Sequence, residues 1–145
     1  MTIRSDDELE GLKAIGAIVA RVRDAMGAAL RPGLTTGELD RLGRRLLEEA
    51  GAVPAPEEAY GFPGATCISV NEEIAHGVPG DRVIRAGDLV NIDVSASLGG
   101  FVADTGASFP VGPVAPATAR LCRDGRRALW TGIREVRSGR PMAAI

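Results

Sequence analysis

At 145 residues, 45% of them hydrophobic, the chain has the length of one ordinary domain and enough apolar side chains to bury a core. A net charge of -2 and a pI near 5.5, with the basic residues dispersed, argue against nucleic-acid sequence recognition. No apolar run could cross a bilayer, and the polar, acidic start from Met1 to Glu10 does not resemble a signal peptide, so a cytoplasmic protein is expected.

Ser5-Asp6-Asp7-Glu8 has the form of a capping box, and Leu12, Ile15, Val19, Val22, Met26 and Leu30 follow at helical spacing. This predicts a long amphipathic helix closed by Arg31-Pro32-Gly33. A second box, Thr35-Thr36-Gly37-Glu38, opens a helix through Leu39, Leu42, Leu46 and Leu47 that stops at Gly51. Residues 54–63, rich in Pro and Gly, are expected as a loop. Residues 66–70 read as a strand carrying Cys67, and 73–76 as a further short one. Pro79-Gly80-Asp81 turns the chain. Two strands joined near Gly99-Gly100 come next, the second from Phe101 to Phe109, and a third helix runs through Leu121, Leu129, Ile133 and Val136. Cys122 falls on that helix, and both cysteines are expected as free thiols. Two helices, a strand cluster and another helix make an α+β order rather than a parallel α/β one. Leu30-Arg31-Pro32-Gly33 is echoed by Val136-Arg137-Ser138-Gly139, either as an internal repeat or as two chance helix exits.

The segment from Val90 to Thr105 carries the most chemistry. Val90, Ile92, Val94 and Ala96 alternate with Asn91, Asp93, Ser95 and Ser97, as in a strand with one buried face. A two-residue loop at 98–99 would set Asp93 directly opposite Asp104, whereas one at 99–100 keeps them on one face a step apart. Carboxylates so placed repel unless a proton or a cation lies between them. Aspartates near a hairpin are commonly solvated, but neither of these lies in the turn, and Lys and Arg are absent from 86 through 119. A hard or borderline divalent cation suits two such oxygen donors.

These residues also carry a family resemblance. Residues 67–79 (CISVNEEIAHGVP), 87–94 (GDLVNIDV) and 100–105 (GFVADT), together with 31–33, 36–40 and 120–122, closely resemble type I methionine aminopeptidase of bacteria in order and spacing. The resemblance implies the pita-bread fold, two pseudo-symmetric α+β halves around a dinuclear metal centre, and removal of the initiator methionine from nascent polypeptides, whose N-termini at the ribosome are the partners it implies. By position, Asp93 and Asp104 resemble the two aspartate ligands of a pair of divalent ions of the Co, Mn, Fe, Zn or Ni class. His76, the single histidine, resembles an active-site histidine that is not a ligand and contacts the substrate. Phe62 and Cys67 resemble walls of a methionine pocket, and Asn71 and Glu73 match positions whose backbone carbonyls hold a monovalent cation. Ala75 departs from the cysteine frequently found before the His-Gly pair.

The remaining ligands of such enzymes, one histidine and two glutamates, follow the stretch that this chain resembles. Residues 1–145 are therefore expected to be one incomplete peptidase domain, the first pita-bread half, inactive by itself. Two alternatives stay open: an Xaa-Pro aminopeptidase or dipeptidase of the same fold, and a non-catalytic module that binds peptides or ribosomes.

Overall fold

The computed structural model describes residues 2–145. Helix α1 spans Asp6–Ala29 and α2 Thr36–Glu49; strand β1 (Val53–Pro54) and helix α3 (Ala55–Tyr60) lead to β2 (Cys67–Val70). Strands β3 (Leu89–Leu98) and β4 (Phe101–Pro110) form the long hairpin, and α4 covers Pro116–Glu135 before a single 3-10 turn at Met142–Ala144.

Strand β3 is the centre of an antiparallel sheet. β4 pairs with it along all its length, from Leu89↔Pro110 to Leu98↔Phe101. β2 and the short β1 share the other edge, β2 against residues 90–93 and β1 against 96–97. The alternation read from the sequence is met: Val90, Ile92, Val94 and Ala96 are fully buried. They pack under Ile15, Ile18, Val19, Val22 and Met26 of α1 and Leu39 and Leu47 of α2. Burying each of the larger side chains stabilises the fold by roughly 1.5–3 kcal/mol. Helix α1 comes close because Gly11 and Gly27 lie where any side chain would overlap the rings of Phe101 and Phe109. Arg23 of α1 adds a polar tie, donating to the Thr105 hydroxyl at 2.6 Å.

The N-terminal caps differ from one another. Thr35 and Glu38 form a reciprocal box: the Glu38 N–H donates to Thr35 Oγ1 at 3.1 Å and the Thr35 N–H to the Glu38 carboxylate at 2.8 Å. At α1 only half of the expected box forms. Ser5 Oγ accepts the Glu8 N–H, but the Glu8 carboxylate reaches one residue further back, to the Arg4 N–H at 2.6 Å.

Two sequence expectations need correction. Residues 54–63 are not all loop, because α3 starts with Pro56 in its first turn, carries Glu57 and Glu58 near its positive end, and stops at left-handed Gly61. An Arg44–Glu57 ion pair fastens it to α2. Residues 73–76 form no strand. Asn71 and His76 both adopt left-handed backbone, with φ of +56° and +54°, and the Glu73 carboxylate folds back to accept the Val70 N–H at 2.8 Å. The chain therefore bends at each end of that segment instead of extending.

Candidate active site

The turn at Gly99–Gly100 settles the register left open by the sequence. Asp93 stands opposite Gly106 and Asp104 opposite Ser95, so the two aspartates are diagonal neighbours on the sheet face turned away from α1 and α2. Gly99 and Gly100 both have positive φ, which a two-residue hairpin loop of this hand requires. Asp93 is half-buried, whereas Asp104 is exposed. The Asp93 carboxyl is held above the usual carboxylate range, first by burial and then by the charge of Asp104 and a hydrogen bond between the two carboxyl groups. The His76 imidazole works in the opposite sense, which places it within electrostatic reach of Asp93. Among the described residues, no Arg or Lys makes an ion pair with either aspartate.

Cys67 lies directly across β3 from Asp93 and shares its face. Its thiol is buried and pushed up to about 11, by burial first and then by the charges of Asp93, Asp104 and Asp40. It is a neutral, soft surface beside the acidic pair and not a thiolate donor. Phe62, half-buried, ends the turn after α3, its N–H donating to the Pro56 carbonyl at 3.2 Å. His76 is exposed, but the backbone beside it is tied to β2: the Gly77 carbonyl accepts the Ile68 N–H at 2.9 Å, and the Gly77 N–H donates to Ser69 Oγ at 3.0 Å.

Asn71 and Glu73 border a separate shallow groove with Ser69, Leu89, Asn91 and Ser108. Their side chains are engaged inside the protein. Asn71 donates to Asp88 and accepts the Leu89 N–H, both at 2.9 Å, and Glu73 pairs with Arg82. A second hollow lies between the α2 N-terminus and residues 79–81 and contains neither aspartate.

The donor set suits a divalent cation: two carboxylates on one face, Asp93 raised in proton affinity by burial and by the charge of Asp104, without a basic ion-pair partner, and with a glycine opposite Asp93 leaving that carboxylate uncovered. It is a partial set. Among the described residues, no group of three or more His, Cys, Asp or Glu side chains is arranged to hold a metal ion.

Sequence reading passed over the residues that brace this face. Asp40, only 7% exposed, accepts the Thr66 N–H and the Thr66 hydroxyl at 2.8 Å each and the Ala65 N–H at 3.4 Å. It fixes the approach to β2 just before Cys67. The signal was present, since a carboxylate on the helical stripe Thr36-Asp40-Gly43-Leu47 demands buried donors. Thr36, fully buried, grips Gly80 through both its N–H and its carbonyl, at 3.0 and 3.2 Å.

Residues 10–145 match the metallopeptidase family M24. The chain is 48% identical to methionine aminopeptidase 2 of Bacillus subtilis over 97% of its own length and 57% of the relative's. It is 51% identical to a methionine aminopeptidase of Staphylococcus epidermidis over 100% of this chain and 58% of that protein. It thus spans somewhat over half the length of these curated relatives. In structure it superposes on a methionine aminopeptidase of Thermotoga maritima with a TM-score of 0.90 and 30% identity, covering 94% of this chain and 55% of that one. The prolidase of Pyrococcus furiosus shares the fold at a TM-score of 0.72 and 23% identity, covering 92% of this chain and 37% of that one.

Proposed function

Because the chain belongs to metallopeptidase family M24, we propose that it supplies the Asp93–Asp104 side of a dinuclear metal site in a methionine aminopeptidase. The reaction is hydrolytic removal of the initiator methionine from nascent polypeptides in the cytoplasm, close to the ribosome. Residues 1–145 act as the first half of one pita-bread domain. The observation that carries this reading is the unneutralised carboxylate pair on one sheet face.

Asp93 and Asp104 would hold the divalent ions through hard oxygen donors. When bound, such ions acidify water and polarise the scissile carbonyl. The protein's own groups do the rest. Asp93 binds cation or proton at the same oxygens, so acid competes with metal. The exposed His76 imidazole is placed to hydrogen-bond the peptide backbone of the substrate. Phe62 and the neutral Cys67 thiol offer an apolar, polarisable wall to a thioether side chain. The backbone carbonyls of Asn71 and Glu73 are assigned to a monovalent cation. Identity of 48–51% to methionine aminopeptidases, against 23% to the prolidase, favours methionine over Xaa-Pro substrates.

Thermal unfolding with added Mn²⁺ tests the metal reading. The wild-type chain should be stabilised, and D93N and D104N should lose that stabilisation; an equal shift in all three would overturn it. Residues 1–145 alone should leave Met-Ala-Ser uncleaved, because two carboxylates under-coordinate two ions. Joined to the second half of the Bacillus subtilis relative, the chain should cleave Met-Ala-Ser. Cleavage of Ala-Pro-Ser instead would assign the Xaa-Pro activity.

A further inference from the structure

His76 is held in a backbone conformation that a non-glycine residue avoids, at φ +54°. Such strain persists only where the surroundings over-determine it. The imidazole itself is exposed and makes no hydrogen bond among the described residues, so the constraint must act through the adjacent backbone. Gly77 supplies it. Its Cα lies so close to the Ile68 carbonyl that no Cβ could fit, its carbonyl accepts the Ile68 N–H at 2.9 Å, and its N–H donates to Ser69 Oγ at 3.0 Å. The Ser69 hydroxyl is the side chain in this junction. It is 3% exposed and stands on β2 two residues from Cys67, on the face that carries Asp93.

We infer that Ser69 is a positioning residue, its hydroxyl holding the Gly77 N–H so that the strained His76 keeps its imidazole on the side of Asp93. Further along the loop, the Thr36 grip on Gly80 and the Glu73–Arg82 ion pair restrain the chain without touching residue 77. Beside the Ile68 backbone bond, Ser69 gives the one side-chain tie, among the described residues, between the histidine's own neighbour and the strand beneath the site. The inference rests on the metal-site reading only for the purpose of the imidazole's placement; the hydrogen bond to Gly77 stands apart from it.

The single histidine makes the test selective, because one imidazole Cε1–Hε1 resonance reports the whole population. In S69A, with far-UV circular dichroism unchanged, the Gly77 amide should exchange with solvent about tenfold faster, the equivalent of one hydrogen bond. The His76 resonance should move towards that of an unstructured histidine and lose most of the broadening that Mn²⁺ causes in the wild type. S69T, which keeps the hydroxyl, should restore both. If S69A does not fold, S69C, close in size and a weaker acceptor, carries the same comparison. Wild-type Gly77 exchange and an unmoved His76 resonance in the folded variant would overturn the inference. Failure of the metal reading has a different signature, no selective Mn²⁺ broadening around Asp93 and Asp104 in the wild type; the metal-free exchange and resonance position then decide the role of Ser69.

Discussion

Asp40 offers the sharpest energetic test of how the site is braced. D40A would leave the Thr66 N–H and hydroxyl without the acceptor they now reach at 2.8 Å, in a position where Thr66 is fully buried. Each unpaired buried donor costs about 1–3 kcal/mol, and the 3.4 Å contact from Ala65 adds little. Removing the carboxylate also relieves its own desolvation, so the net loss should be about 3 kcal/mol. D40N can keep its carbonyl oxygen on Thr66 while losing the charge assistance, for about 1–2 kcal/mol. With a urea slope of about 2 kcal/mol/M, the unfolding midpoint should fall by about 1.5 M in D40A and by under about 1 M in D40N. A cycle with T66V should show coupling of about 1 kcal/mol between the two side chains. A D40A midpoint within about 0.3 M of wild type, or strict additivity in the cycle, would refute the reasoning.

The raised folded-state value of Asp93 sets a pH dependence. Its contribution to stability is fully present below the ordinary carboxylate value of 3.8 and is lost as pH rises through the folded value, so metal-free protein should unfold at lower temperature as pH rises through that window. D93N should flatten this slope and raise the melting temperature of the metal-free chain at neutral pH. With its thiol near 11, Cys67 exposes about one thiolate in a thousand at pH 8. A thiol reagent should therefore modify the partly exposed Cys122 first and reach Cys67 only on unfolding; equal rates at both would contradict the burial. Gly16→Ala should gain roughly 0.5–1 kcal/mol from helix propensity because nothing lies within 4 Å of the new methyl. Gly77→Ala should lose at least about 1–3 kcal/mol, its methyl colliding with the Ile68 carbonyl, and calorimetry on the pair checks the contrast.

Period and punctuation made much of the fold legible. The alternation over residues 90–97 set the buried face of β3, and Thr35 with Glu38 marked the start of α2 down to its hydrogen bonds. Like-charge repulsion singled out Asp93 and Asp104, and the Gly99–Gly100 turn put both on one face. Elsewhere, local signals were outweighed. A proline-rich stretch became α3 because Pro56 falls in a first turn, where it is tolerated, and Arg44 fastens the helix from a distance. The absence of a strand at 73–76 depends on the Glu73 carboxylate capturing the Val70 N–H and on two left-handed residues, which no periodicity announces. Ser69, Thr36 and Asp40 act on backbone groups 8 to 44 positions away, and short-range spacing holds no trace of such pairings.

The hairpin brings the two acidic groups together through a loop of two residues, whereas the grip on Gly80 spans 44 positions of chain. Closing the first costs little entropy, and closing the second costs more. A local opening that frees the segment from 71 to 82 would leave the carboxylates assembled and scatter the imidazole. The carboxylate pair and the imidazole thus sit on parts of the molecule with different resilience, and heat or denaturant should scatter the imidazole before it parts the carboxylates.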